Sequence, residues 1–180
     1  MEKINRIFDG LLVLQYKGGD RKAMATLIKR YHNQLCSHAF WYTRDMDLAK
    51  DVVQDSWHKA LGSIGKLKDP NKFSSWIMTI VTRKSLDRLD EIRKERVQKE
   101  HIRHTLKPRR QEPESRYNPE LLQRLKSGIQ NLSIDHQTVV RLFYLQEYSM
   151  KEISEILGIS AGTVKSRLFY AREKLKTYLK

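Results

Sequence analysis

Three of the four prolines in this 180-residue chain lie close together, between residues 108 and 119, and they divide the chain in two. Apart from those prolines, Tyr117 is the only large apolar residue in the stretch, so the stretch cannot bury enough surface to fold by itself. Proline also interrupts regular helices. The sequence therefore predicts two domains, at residues 1–95 and 119–180, joined by a polar linker at residues 96–118.

Both predicted domains have a helical composition. The chain contains only eight glycines and four prolines, and strong helix formers fill most windows of its sequence. No stretch shows the sustained alternation of apolar and polar residues that is typical of a half-buried strand. We therefore expect an all-α protein, built as two small helical domains with the polar linker between them.

The chain is strongly basic, with 35 Lys and Arg against 21 Asp and Glu and a formal net charge of +14. Residues 83–110 hold eleven basic and five acidic side chains, and residues 163–180 hold six basic and one acidic. Such blocks suit nucleic acid, an acidic protein surface or an anionic membrane face. Their separation along the chain predicts two contact surfaces.

The sequence also points to a compartment. The longest aliphatic run near the N-terminus is Leu11–Leu14, far short of the roughly 20 apolar residues that a membrane span requires. The single cysteine, Cys36, has no partner for an intramolecular disulfide. We expect a protein of the reducing cytoplasm.

Residues 149–175 predict a helix-turn-helix. Ser149 and Glu152 have the spacing of a capping box, which marks the start of a helix. Gly158 stands where a left-handed C-cap would end that helix, and Ser160 can cap the next one. Two short helices joined by a turn with glycine form this motif. The second helix has an apolar stripe made of Val164, Leu168, Ala171 and Leu175.

The face opposite that stripe is small and polar at its centre and basic at its rims. Short donors and acceptors can approach base edges in a major groove while cations meet the phosphates. Periodicity alone fits an ordinary amphipathic hairpin with a solvated basic face equally well, and the composition of the block favours DNA. The candidate DNA-binding residues are Ser160, Gly162, Thr163, Lys165, Ser166, Arg167, Phe169, Tyr170 and Arg172.

Another amphipathic helix is predicted at residues 51–60. Val53, Trp57 and Ala60 fall on one face. The other face carries a set that we call the acidic ridge, formed by Asp51, Gln54, Asp55 and His58. In so basic a chain, an acidic surface suits a basic protein partner rather than nucleic acid. A solvated helix face is the simpler interpretation when the pattern is taken alone.

Segments of both predicted domains resemble the small extracytoplasmic-function (ECF) group of bacterial sigma factors, within the sigma-70 family. In the C-terminal half, the resemblance rests on Leu132, Ser133 and residues 139–144, 148–153 and 162–172. In the N-terminal half, it rests on Leu27, Ile28, Tyr31 and residues 17–20, 51–60, 73–81 and 86–89. The helix-turn-helix alone also suits LuxR-type regulators. The segments of both halves occur in family order and together cover residues 10–178.

The resemblance implies a promoter-specificity subunit of bacterial RNA polymerase that is not an enzyme. Asp51, Gln54 and Asp55 match the family's acidic-Gln-acidic motif, which docks on the clamp coiled coil of the largest polymerase subunit. The C-terminal helix would read the minus-35 duplex, and the linker would pass near the active-site channel. An anti-sigma factor is a further partner that the resemblance leads us to expect.

Promoter melting and minus-10 recognition are implied for residues 73–89. By analogy with the family, we expect Asn71, Lys72 and Ser75 to line a pocket for an unstacked base, whose exposed edge polar residues can read. Arg83 stands where many members carry Asn, a departure that bears on minus-10 base preference. Trp76 is expected in the core, on one face with Phe73, Ile77 and Ile80, and phosphate contacts are expected from Arg83, Lys84 and Arg88.

The sequence shows no catalytic, metal or cofactor site. His32, Cys36 and His38 do not share a helix face, because residues two apart point in different directions. His101 and His104 have no further ligands nearby, and no glycine loop for phosphate occurs. We expect these side chains to be packed or solvated.

Two other functions fit parts of the sequence. The first is a stand-alone helix-turn-helix regulator that binds duplex DNA as a dimer, with its N-terminal half used for sensing or dimerisation. The second is a helical adaptor whose basic faces bind acidic proteins or membranes and not DNA. The acidic ridge argues against the first. Salt-sensitive binding to promoter DNA that Lys165→Glu and Arg172→Glu leave unchanged would favour the second.

Overall fold

The computed structural model describes residues 2–100 and 119–179, with side chains at residues 5–95 and 120–179. Every regular element in those ranges is helical, and the chain forms two compact units at residues 1–104 and 105–180. The prediction of an all-α protein with two helical domains is confirmed. Most of the predicted linker, including His101 and His104, lies outside the described residues.

The described part of the first unit has four helices: α1 (Glu2–Lys17), α2 (Arg21–Thr43), α3 (Met46–Ser63) and α4 (Phe73–Glu100). Two turns of 3-10 helix, Ile64–Lys66 and Pro70–Lys72, connect α3 to α4. Asp20 and Asp45 begin α2 and α3, since each carboxylate accepts hydrogen bonds from backbone N–H groups of the first turn. Helix α4 continues five residues beyond the predicted domain end at residue 95.

The core of the first unit surrounds the first half of α4, which packs against α1, α2 and α3. Phe73 is fully buried, with its ring centre 5.5 Å from that of Tyr31 and 6.4 Å from that of Trp57. Burying a side chain of this size contributes about 1.5–3 kcal/mol. Further fully buried side chains are Val13, Leu27, Leu35, Val53, Ile77, Met78 and Val81.

Among the contacts that fix helix α1 to the rest of the first unit are a buried carboxylate and a close backbone approach. The Asp9 carboxylate, 2% exposed, accepts hydrogen bonds from Tyr31 Oη at 2.5 Å and from Arg30 Nε at 2.8 Å. One residue later, a Cβ on Gly10 would lie 2.4 Å from Asn71 Oδ1. The missing side chain therefore lets the Pro70–Lys72 turn rest directly on α1.

The described part of the second unit also has four helices: α5 (Pro119–Gln130), α6 (Ile134–Tyr144), α7 (Met150–Leu157) and α8 (Ala161–Leu179). Helix α8 packs against the other three. The centre of this core is formed by Val139, Leu142, Ile153, Ile156, Val164 and Ala171, all with no exposed surface.

The helix-turn-helix is confirmed down to its caps. Ser149 and Glu152 form both hydrogen bonds of the capping box at the start of α7. Gly158 ends that helix with φ 67°, a left-handed conformation that costs glycine little. Ser160 Oγ accepts the Thr163 backbone N–H at 3.0 Å and so caps α8. Of the predicted apolar stripe, three residues are buried and Leu175 is half-buried.

Candidate protein and nucleic-acid interfaces

The acidic ridge lies on the outer face of α3. All four of its side chains are exposed, whereas Val53, Trp57 and Ala60 are buried, as the helical period predicts. Ser56, on the inner side, is buried and donates its hydroxyl hydrogen bond to the Val52 carbonyl at 2.6 Å. The ridge spans two turns of helix, or about 10 Å. It offers a partner two carboxylates, an amide and an imidazole in one row.

The basic residues predicted to contact phosphates lie on α4 just beyond its buried half. Arg83 is exposed, and Lys84 and Arg88 are partly exposed. The described residues place no carboxylate within ion-pair distance of Arg83. Lys84 Nζ, in contrast, lies 3.3 Å from Asp55 Oδ2, across the interface between α4 and α3. The two predicted surfaces, one for protein and one for DNA, thus touch at an ion pair.

Arg88 is held by carboxylates of its own helix. Its Nη1 donates a hydrogen bond to Glu91 Oε2 at 2.8 Å and lies 3.8 Å from Glu95 Oε1. The pKa of Arg88 is raised by this hydrogen bond, and the charges of Glu91, Glu95 and Asp51 act in the same direction. Arg88 therefore remains protonated and partly neutralised by its neighbours.

The residues predicted to form a pocket for an unstacked base lie together at the start of α4, but only two of the three are exposed. Asn71 and Lys72 are exposed on the Pro70–Lys72 turn, and Asn71 rests against Gly10. Ser75 is only 6% exposed and donates its hydroxyl hydrogen bond to the Lys72 carbonyl at 3.1 Å. Trp76 was expected in the core, and it lies half-buried at the edge of the core. Its ring centre is 6.0 Å from that of Phe73.

The outward face of α8 presents nearly all of its predicted DNA-binding residues. The aromatic rings of Phe169 and Tyr170 are 52% and 63% exposed, with their centres 5.6 Å apart. Thr163 is partly exposed, and its backbone N–H donates a hydrogen bond to the Ser160 hydroxyl. The exposed residues of the predicted set are Ser160, Gly162, Lys165, Ser166, Phe169, Tyr170 and Arg172.

Arg167 differs from its neighbours on α8. Its Nη2 donates a hydrogen bond to Asp135 Oδ2 at 2.7 Å, and its side chain is 25% exposed. Asp135 lies in the first turn of α6, where its negative charge also interacts favourably with the helix dipole. In this arrangement Arg167 joins α8 to α6 and remains partly exposed.

Sequence reasoning missed the ion-pair partners of Lys84 and Arg167, which lie 29 and 32 residues away on other helices. It also missed an apolar stripe on the outer face of α1, where Ile7, Leu11 and Leu14 are each more than half exposed. The stripe has a signal in the sequence, because its residues recur at i, i+4 and i+7. The ion pairs have none, because no local period links residues on separate helices.

The histidines and the cysteine of α2 are packed side chains. His38 is fully buried, with Nε2 3.0 Å from Thr82 Oγ1, and His32 Nε2 lies 3.5 Å from Cys36 Sγ. Within residues 5–95 and 120–179, no three potential ligands are grouped as a metal site. Burial raises the pKa of the Cys36 thiol, and Lys50 offsets part of that rise. A thiol of this kind is a poor nucleophile at neutral pH.

One further property concerns membranes. Over the described parts of both units, none of the helices combines the length and the apolar character needed for a transmembrane span.

Two family descriptions match the chain, one in each unit. Residues 27–96 match "Sigma-70 region 2" and residues 122–175 match "Sigma-70, region 4". The first match holds the acidic ridge and the cations of α4, and the second holds the helix-turn-helix. The two regions occur in the same order as the segments identified in the sequence.

Whole-length relatives carry the same description. The chain is 27% identical to the RNA polymerase sigma factor SigV of Bacillus subtilis, over 92% of this chain and 96% of that protein. It is 28% identical to the ECF RNA polymerase sigma-E factor of Haemophilus influenzae, over 95% of each chain. Among solved structures, the sigma factor RpoE of Bartonella quintana, in complex with the anti-sigma factor NepR, shares the fold. Its TM-score is 0.71 at 23% identity, covering 88% of this chain and 97% of that chain.

Proposed function

The chain belongs to the ECF group of the sigma-70 family, and on that premise we propose how its two units divide the work of promoter recognition. As a sigma factor it directs bacterial core RNA polymerase to promoters and assists the initiation of transcription. The stand-alone regulator is not favoured, because region 2 and region 4 are both present and in family order. The family's members are not catalytic enzymes, and we propose no catalytic step and no cofactor for this chain.

The first unit, with residues 1–95 as its functional domain, binds the core polymerase through α3. The acidic ridge of Asp51, Gln54, Asp55 and His58 would meet the clamp coiled coil of the largest subunit. The exposure of all four side chains on one face of α3 is the observation that carries this proposal. Two carboxylates in a chain of charge +14 also select a basic protein surface over nucleic acid.

The same unit would contact the minus-10 element through α4 and the turn before it. Arg83, Lys84 and Arg88 follow the buried half of α4, where they can meet phosphates while the core holds the helix rigid. Asn71 and Lys72 are exposed and can face an unstacked base. The burial of Ser75 argues for a supporting role, in which its hydroxyl fixes the carbonyl of Lys72.

The second unit, residues 119–180, would read the minus-35 duplex with α8. Gly162 and Ser166 leave the centre of the outward face small, so the helix backbone can lie deep in a major groove. Lys165 and Arg172 stand exposed at its rims for phosphates, and Phe169 supplies an apolar contact of the kind that thymine methyl groups accept. Arg167 would contact the same duplex while it remains paired with Asp135.

The linker, residues 96–118, would thread near the polymerase active-site channel and the RNA exit path, where its cations meet nucleic acid. Two units of weak DNA affinity, held on one polymerase, act at high effective concentration. Their spacing selects which pairs of promoter elements are bound together. The protein would work in the cytoplasm. An anti-sigma factor is a proposed partner, since a structural relative is a sigma factor bound to one.

The test is run-off transcription with purified bacterial core polymerase and a pool of genomic promoter fragments, with and without the protein. We expect discrete transcripts that require the protein. Specific binding to duplex sites without core enzyme, together with no transcript, would instead support a stand-alone regulator.

A second test separates the two units. Replacing Asp51, Gln54 and Asp55 together by Lys should abolish polymerase binding while minus-35 duplex affinity is unchanged. Asp47→Lys is a single-site control for charge reversal, because Asp47 is exposed on the same helix, outside the ridge. If the triple variant still binds polymerase, the assignment of the acidic ridge is wrong.

A further inference from the structure

One face of α1 supports the segment that leads into α4. We call residues 67–72 the connecting segment, which includes the turn of 3-10 helix before α4. Lys17 Nζ donates a hydrogen bond to the Leu67 carbonyl at 2.8 Å, and Gly10 lies against Asn71. Because Gly10 and Lys17 are two helical turns apart, they share one face of α1 at a separation of roughly 10 Å. The connecting segment therefore runs antiparallel to α1 along this face.

Gly10 leaves no room for a side chain at this contact. A Cβ there would lie 2.4 Å from Asn71 Oδ1, 3.2 Å from Asn71 Cγ and 3.3 Å from the Asn71 backbone nitrogen. Non-bonded carbon atoms are optimally separated by about 3.5–4.0 Å, so alanine at this position would displace the Asn71 side chain. Glycine inside a helix is less favourable than alanine. The close approach of Asn71, and not helix formation, therefore explains a glycine at position 10.

Helix α1 is itself fixed to the core of the first unit. The Asp9 carboxylate is 2% exposed and accepts hydrogen bonds from Tyr31 and Arg30 of α2. Val13 of the same helix has no exposed surface. Helix α1 can therefore act as a rigid support for the connecting segment.

Local hydrogen bonds give the connecting segment its shape but not its place. Asp69 Oδ1 accepts the Asn71 backbone N–H at 3.0 Å, and the Lys72 carbonyl accepts the Ser75 hydroxyl at 3.1 Å. The contacts with α1 decide where the resulting turn lies. Asn71 and Lys72 are exposed on that turn and are the residues proposed to face an unstacked base. Since a hydrogen bond to a base requires about 2.7–3.2 Å, a small displacement of the turn is enough to lose one.

We infer that Gly10 and Lys17 are positioning residues for minus-10 recognition, which hold the connecting segment on α1 so that Asn71 keeps one orientation toward the base. A side chain at position 10 then changes which base is preferred. The inference rests on the proposed function of Asn71 and Lys72. Gly10 and Lys17 act through Asn71 and have no contact of their own with DNA in this proposal.

The experiment measures base preference in the complete complex of this protein with core polymerase. The template is the promoter fragment that gives the strongest protein-dependent transcript in the run-off experiment. Its minus-10 element is located from the transcript start, and the bases of that element are changed one at a time. The base-preference ratio is the amount of transcript from the original base divided by the amount from the substituted base. Because each ratio is taken within one variant, it does not depend on how much of that variant is folded or bound to polymerase.

Gly10→Ala should lower the base-preference ratio at one position of the minus-10 element by at least about fivefold, the lower end of the discrimination that a base-edge contact supplies. The matched control is Gly62→Ala, the same change in helix α3 of the same unit. Nothing lies within 4 Å of a Cβ at Gly62, so its ratios should stay as they are. Unchanged ratios for Gly10→Ala, or equal changes for both variants, would overturn the inference.

A double-mutant cycle tests whether Gly10 acts through Asn71. Asn71→Ala removes Oδ1 and Cγ, the two atoms that lie closest to a Cβ at position 10. In a chain that carries Asn71→Ala, Gly10→Ala should therefore leave every ratio unchanged. Additive effects of the two substitutions would show that Gly10 acts by another route, and the inference would be wrong.

Lys17→Met tests the other end of the connecting segment, and it decides the matter if Gly10→Ala does not fold. Lys17 is exposed, and methionine is as good a helix former as lysine. Loss of the hydrogen bond to the Leu67 carbonyl should lower the ratio at the same position by about twofold, the smallest effect expected for one hydrogen bond. Lys22→Met, at an exposed lysine of α2, is the control. Ratios equal to those of this control would contradict the role of Lys17.

Failure of the inference and failure of the proposed function give different results. If Asn71→Ala lowers the ratio and a folded Gly10→Ala does not, the inference is wrong and the base contact of Asn71 stands. If Asn71→Ala and Lys72→Ala both leave all ratios unchanged, the turn does not read the minus-10 element, and the inference is wrong as well. If no transcript requires the protein, the proposed function fails and the inference with it.

Discussion

Helices α4 and α8 each carry the proposed DNA contacts of their unit, yet they separate core from surface in different ways. Helix α8 is divided around its circumference: Val164, Leu168 and Ala171 face inward, and the opposite face is exposed along the same turns. Helix α4 is divided along its length. Its first three turns are buried on nearly all sides, and its cations begin at Arg83.

The difference lies in how burial is distributed over each helix, because each of them packs against three others. In α8 the buried residues Val164, Leu168 and Ala171 recur on one face, whereas in residues 73–82 of α4 buried residues occur on both faces. When a helix is divided around its circumference, the buried side supports the exposed functional side. The exposed side can then be identified from the helical period of the apolar residues. A lengthwise division makes the buried half an anchor for a projecting charged half, which has no periodic signature.

The largest effect should come from the anchor of α4. Phe73→Ala should lower the free energy of unfolding of the first unit by about 3–5 kcal/mol, because a large ring is removed from a filled core. Trp41, Trp57 and Trp76 all lie in that unit, so urea unfolding followed by tryptophan fluorescence reports it alone. Ile153→Ala, in the second core, is the control and should leave this signal unchanged. A loss below about 1 kcal/mol for Phe73→Ala would contradict the buried anchor.

The next effect concerns the outward face of α8. Lys165→Glu with Arg172→Glu should weaken minus-35 duplex binding by at least about tenfold. The slope of log affinity against log salt concentration should fall by the amount expected for about two phosphate contacts. Both residues are exposed, so circular dichroism should show an intact helix. Lys176→Glu makes the same type of change in the last turn of α8 and should have a smaller effect. Unchanged affinity and salt dependence for the pair would remove α8 from the DNA interface.

A smaller effect is expected at the start of the helix-turn-helix. Ser149→Ala should destabilise the second unit by about 1 kcal/mol, because the Glu152 backbone N–H loses its capping acceptor. Chemical denaturation followed by circular dichroism measures this loss. Ser154→Ala removes a hydroxyl from the same helix outside the cap and should cost less. Equal losses for the two variants would mean that the cap contributes nothing specific.

The smallest effect is expected for the pair that joins α8 to α6. Asp135→Asn should cost less than about 1 kcal/mol, since Asp135 is more than half exposed. The cost should shrink further near 1 M salt, where the screening length falls to about 3 Å. Denaturation at low and high salt tests this. A cost that does not depend on salt would show that packing, and not charge, joins the two helices there.

The helix-turn-helix of the second unit could be predicted almost completely from the sequence, because its signals are local. The capping box, the left-handed Gly158, the Ser160 cap and the apolar stripe of α8 all fall within 27 residues, and each is present in the structure. The outer face of α3 was predictable for the same reason. In both cases one side of a helix packs and the other does not, which is the condition under which periodicity locates a surface.

The first half of α4 does not meet that condition. The predicted face of Phe73, Ile77 and Ile80 is buried, but the opposite side is buried as well, through Ser75, Met78 and Thr82. Ser75 was placed in a base pocket by analogy with the family, and it is only 6% exposed. Its burial comes from the packing of α4 against distant helices, which no local pattern records. The ion pairs of Lys84 and Arg167 are likewise products of packing between distant segments.

The circumferential division of α8 also bears on how such a protein can diverge. The exposed residues at positions 162, 165, 166 and 169 are separate from the buried ones, so they can change without disturbing Val164, Leu168 or Ala171. A duplicated copy of the gene could acquire a new set of target sequences through a few substitutions, each nearly neutral for stability. Helix α4 offers less freedom over residues 73–82, where seven of the ten residues are buried.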